Sequence, residues 1–96
     1  MSAYSDDDID DAIERIASDV AHRFAQRDFH GPAMSALLDE LRQMEVARRS
    51  GDHAAAAVIA GAASPALEHY RPTNATSRAK AVLAEVIAEV VAAARQ

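Results

Sequence analysis

The chain has 96 residues, no cysteine and no tryptophan, and 15 acidic against 10 basic side chains, for a net charge of −5. The lack of cysteine excludes disulfides and thiolate metal sites, so packing alone must hold the fold. The length fits one helical domain, residues 1–96, but half of the hydrophobic residues are alanine, whose burial contributes little beside the roughly 1.5 to 3 kcal/mol of a large aliphatic side chain.

The opening MSAYSDDDIDD is acidic where a secretion signal would be basic and then apolar. Residues 1–5 are expected to be disordered. The longest low-polarity runs, 54–63 and 79–94, are too short or too charged to span a bilayer, which leads to the expectation of a cytoplasmic protein with no membrane partner. Residues 1–28 hold eight acids against three arginines, whereas 54–96 hold three acids against four bases. The acidity therefore belongs to the first helix, where it repels nucleic acid and favours basic protein partners.

Ser5 ahead of Asp6, Asp7 and Asp8 is a helix N-cap with acids in the first turn. Ile9, Ile13, Ile16, Val20 and Phe24 or Arg27 then recur at spacings of four and three, a narrow seam that predicts a helix to about Arg27. Asp11 with Arg15 and Asp19 with Arg23 are supportive pairs on its outside. After a connection at 28–30, Gly31 and Pro32 open a second helix whose buried face is Met34, Leu37, Leu38, Leu41 and Met44, with Val46 as a weaker member. Ser50, Gly51 and Asp52 stop it near Arg49 and cap a third helix of almost purely small residues, 53–62. Its Ala57 and Gly61, four apart, offer a face for close approach of another helix. Ser64 and Pro65 break that helix and restart a short turn through Tyr70, and RPTNAT is a loop before the last helix, 79–94. No stretch alternates with period two, so no strand is expected. The fold class is all-α, a small bundle of four helices plus one short helical turn.

The last helix carries the strongest expectation. Val82, Leu83, Val86, Ile87, Val90 and Val91 fill one broad half of it, and its water-facing strip is confined to Arg78, Glu85 and Glu89. A helix apolar over most of its circumference must be buried nearly all round. A thin alanine-rich core should not cover it, so these six residues are the expected self-association interface of a homodimer.

Gly51, Asp52 and His53 followed by Ala56, Ala60 and Ala63 resemble the second half of a tetratricopeptide repeat, in which a glycine and small residues at those offsets let paired helices nest. The resemblance implies a helical hairpin, but His53 stands where an aromatic is usual and Glu68 where the closing proline belongs. Residues 43–62, with Ala47 and Gly51, also resemble a helix-turn-helix. Ser50 and Asp52 depart from the apolar residues that motif needs beside its glycine, and HAAAAVIAGA offers almost no side chain to bond a base edge.

No cofactor, metal or catalytic signature stands out. Ser50, Asp52 and His53 are triad types, yet adjacency on a turn does not align them. The expected function is a non-enzymatic interaction module, a small acidic adaptor or inhibitor of a protein partner with a basic surface. Its candidate contacts are Asp7, Asp10, Asp11, Arg48, Arg49, His69, Tyr70 and Arg71. A dimeric nucleic-acid-binding regulator using the arginines around the second turn is the rival, although nucleic acid suits the acidic balance poorly. A small-molecule pocket between the third and last helices is a third possibility.

Overall fold

Four helices follow one another in the computed structural model, which describes residues 3–25 and 31–95: α1 (Asp6–Ala25), α2 (Gly31–Arg49), α3 (His53–His69) and α4 (Ser77–Ala94). No strand occurs among the described residues. α1 packs on α2 and α4, and α3 packs on the same two, so the helices stand at the corners of a square prism about 43 × 22 × 19 Å. The end of α2 pairs with the start of α1 and the end of α3 meets the start of α4, which makes neighbours antiparallel.

Each helix starts and stops for a legible reason. Ser5 Oγ accepts from the Asp8 amide at 3.1 Å while Asp8 Oδ2 accepts from the Ser5 amide at 3.2 Å, a reciprocal capping pair that satisfies two otherwise orphaned donors. Asp52 caps α3 by accepting from the Ala55 amide. Gly51 lies at φ 81, the left-handed conformation that ends α2 without the clash a side chain would bring. Ser50 Oγ donates to the Val46 carbonyl. The triad types at 50–53 thus include a cap and a helix stop.

The seam of α1 is buried at Ile9, Ile13, Ile16 and Val20; the helix includes Phe24, and Arg27 and the 28–30 connection lie outside the described residues. Met34, Leu37, Leu38, Leu41 and Met44 form the buried face of α2. Val46 is not among them and is 68% exposed, whereas Glu45 next to it is buried.

α3 differs most from expectation. It continues without interruption through Pro65 to His69, so the short fifth turn is the end of α3. A helical proline forfeits the bond to the carbonyl four residues earlier; here that residue is Gly61, and both it and Pro65 are exposed, where water can take the freed carbonyl. The face that nests against other helices is Ala56, Ala60, Ala63 and Leu67, all essentially inaccessible. Gly61 is on the opposite side, with open space where a Cβ would stand.

α4 corrects the main expectation from sequence. Val82, Leu83, Val86, Ile87 and Val90 are all buried by the chain's own helices, at 0 to 6% exposure, and Val91 is half-buried against the same core. α1 and α3 both pack on α4 and together cover this surface, α3 through small side chains that let α4 approach closely. Five of these six residues are core and Val91 lies at its edge, so most of the apolar surplus that called for a partner on α4 is covered within the chain. Ahead of α1, the Ala3 amide donates to Glu89 Oε2 at 3.0 Å and the Tyr4 hydroxyl donates to Glu85, while residues 1 and 2 lie outside the described residues.

Candidate functional site

Two polar clusters hold four of the eight candidate contact residues, Asp10, Arg48, Arg49 and Tyr70, and both tie helices of this chain to one another. At the first, Glu45 is sunk between α1 and α2 and accepts from Arg48 Nε and Nη2, each at 2.8 Å, and from Arg49 Nη2 at 3.0 Å. The same arginines reach α1: Arg48 pairs with Asp6, and Arg49 with Asp10 at 2.7 Å. Bidentate pairing by a planar guanidinium is the geometry that makes a buried carboxylate tolerable. The bond to Glu45 raises the pKa of Arg48, and its bond to Asp6 holds that carboxylate below its usual value. Asp10, Arg48 and Arg49 therefore fasten the acidic start of α1 to the basic end of α2.

Arg42 lies near Glu14 at 3.4 Å. With all three arginines of α2 matched to carboxylates, the positive field a phosphate backbone needs is cancelled locally. Asp11 pairs with Arg15 at 2.7 Å on the exposed face, and Asp7 is exposed.

The second cluster closes the α3–α4 end. Tyr70 is 2% exposed, its hydroxyl donating to Asp19 on α1 and lying 3.0 Å from Thr76 Oγ1. Arg23 pairs with Asp19 at 3.2 Å and sits 5.7 Å above the Tyr70 ring, a cation–π arrangement. Thr76 Oγ1 also accepts from the Thr73 amide at 2.8 Å, which takes it away from capping α4. Burial, reinforced by the bond to Asp19, pushes the Tyr70 phenol up to about 12. Tyr70 is thus a core residue, and the Asp19–Arg23 pair expected on the outside of α1 lies largely beneath it. His69 and Arg71 remain exposed.

What the described residues leave uncovered is an uncharged side. The outward face of α3 comprises Ala54, Val58, Gly61, Ala62 and Pro65, with Val58 74% exposed. Beside it a groove of about 470 Å³ runs between α3 and α4, floored by Leu67, Ile87 and Val91 and edged by Ala84 and Ala88. Its charged residues stand at its ends, Glu68 and Lys80 at one and Arg95 at the other. This is where sequence placed a small-molecule pocket, but the groove lacks the converging polar groups that orient a small ligand. A second cleft of about 340 Å³, between α1 and α4, is lined by Asp8, Asp11, Arg15 and Arg78, whose charges balance.

Among the described residues no three His, Cys, Asp or Glu side chains could share a metal ion, and no helix is long and apolar enough to cross a membrane. Sequence reasoning missed Glu45 and Val58. The signal for Glu45 was Arg48 and Arg49 three and four residues on, the spacing of helical ion pairs; the signal for Val58 was an α3 apolar on every side, which leaves some of it outward wherever the core lies. Compared with protein-family models, curated proteins and solved structures, the chain matches none.

Proposed function

We propose that this chain is a non-enzymatic, cytoplasmic helical protein–protein interaction module, a small acidic adaptor or inhibitor, that docks through the side formed by α3 and α4. The observation that carries this reading is the exposed face of α3, which presents Val58 among small residues and has no acid, lysine or arginine between Asp52 and Glu68. The remaining polar clusters serve the fold, which leaves this side as the place where burial of apolar surface can drive association. Partner choice then rests on shape along the groove and on the charges at its ends, while exposed acids such as Asp7 contribute steering toward basic surfaces.

The test is affinity capture by the intact chain from its native host, compared with Val58→Asp and with Asp7→Asn/Asp11→Asn. The docking side predicts that Val58→Asp abolishes capture of a specific protein at unchanged helicity, and that the acid substitutions only reduce it. Capture indifferent to Val58→Asp would reject docking through this face.

A further inference from the structure

We propose that a second copy of the chain closes the α3–α4 side, about a two-fold axis passing near Gly61 and Ala88. This rests on the reading of that side as the docking face and names its occupant.

Charge selects the face. Glu68, Lys80 and Arg95 sum to +1 on a chain of net charge −5, so the rest of the molecule carries −6. The acids of α1 lie on other sides of the molecule, so two copies meeting here bring together Glu68, Lys80 and Arg95, which include opposite charges that can pair, and keep most of the excess negative charge outside the contact.

Charge also sets the orientation. Lys80 Nζ is turned inward, donating to the carbonyls of Glu68 at 3.1 Å and Tyr70 at 2.7 Å. Neither the Glu68 carboxylate nor the Arg95 guanidinium has an ion-pair partner among the described residues. Lys80 and Arg95 are about 22 Å apart along α4, at a rise of about 1.5 Å per residue, and Ala88 falls near their midpoint. Rotation about a two-fold axis through that midpoint exchanges the ends of the groove, which brings Arg95 of one copy to the end of the other that holds Glu68 and the inward-turned Lys80, twice per dimer, with the Glu68 carboxylate there to pair with it.

Shape and area are sufficient. Ala84, Ala88 and Ala92 make a low ridge on α4 beside the groove, so the partner's helix can approach closely. A standard interface buries roughly 800 Å² per partner. The accessible surface is 5892 Å², and one of four sides of a square bundle is about a quarter of that, so roughly half of this side is enough.

The experiment is sedimentation velocity on the full chain across about 1 to about 500 μM, the range in which a self-associating chain changes mass. A dimer is expected. Ala88→Arg, at an exposed position, should weaken it by about tenfold or more at unchanged helicity. Glu68→Arg and Arg95→Glu should each weaken it, and the two together should restore it. A monomer throughout the series, or a dimer indifferent to Ala88→Arg and to the charge exchange, overturns the proposal. If the chain is monomeric yet Val58→Asp still abolishes capture of a different protein, the second copy is rejected and the docking face stands; if both experiments fail, both readings fall.

Discussion

Tyr70, at the end of α3, donates its phenolic proton to Asp19 on α1, 51 residues earlier in the chain. The contact joins the first helix to the loop that precedes the last one, and Thr76 and Arg23 complete it from two further directions. It is a long-range polar lock in a protein whose apolar core is otherwise made largely of small side chains.

Tyr70→Phe keeps the buried ring and removes the hydroxyl. The expected loss is about 1 to 3 kcal/mol in chemical denaturation, because Asp19 loses a donor in a largely desolvated site. The pH dependence should change too. A phenol raised to about 12 in the folded chain, against about 10 unfolded, releases its proton more readily on unfolding, so stability is full below pH 10 and falls as pH rises toward 12. Denaturation midpoints measured between those limits should decline less steeply for the phenylalanine variant.

Arg48→Ala strips Glu45 of its bidentate partner and leaves Arg49 as the remaining cation. A fully stranded buried charge costs about 3 to 5 kcal/mol; with Arg49 still bonded, about 2 to 3 kcal/mol is expected. Adding Glu45→Leu should recover most of the loss, since an apolar side chain there needs no cation. Asp6 adds an acid limb. Its folded pKa is lowered by Arg48, so its contribution is present above the ordinary carboxylate pKa and disappears as pH falls through the lowered value. Acid denaturation of Asp6→Asn should show a shallower fall below about pH 4.

Val86→Asp separates core from interface. At 1% exposure, an aspartate there is expected to cost more than about 4 kcal/mol, enough to unfold a marginal domain. Circular dichroism should show the same loss at every protein concentration, as a defect within one molecule requires. A loss that vanished at high concentration would return Val86 to an interface.

Pro65→Ala should stabilise the fold. Proline inside a helix is about 3 kcal/mol less favourable than alanine, partly offset by the freedom it removes from the unfolded chain. The site is exposed, so no packing is lost. A Tm higher by about 8 to 20 °C is expected for a domain of this size; no rise would mean that α3 already accommodates the proline through a bend.

The all-α class, the Ser5 and Asp52 caps, and the buried seams of α1 and α2 were legible in the sequence because each is local: capping and 3.6-residue periodicity depend on neighbours within one or two turns. Pro65 misled for the same reason, since a local rule that breaks helices is overridden when α3 packs on both α2 and α4. What tertiary structure decided was which faces meet. The apolar excess of Val82, Val86 and Ile87 looked like an interface so long as alanine counted as poor cover, but α1 and the small-faced α3 pack on α4 together and bury them. The displaced excess reappears at Val58, on the helix whose smallness made that burial possible. Val46, the weaker expected member of the α2 face, is exposed and Glu45 is buried in its stead, because Arg48 and Arg49 neutralise that carboxylate while tying α2 to Asp6 and Asp10 of α1. Periodicity along a chain states how much apolar surface each helix has; only the arrangement of the helices states which part of it water still touches.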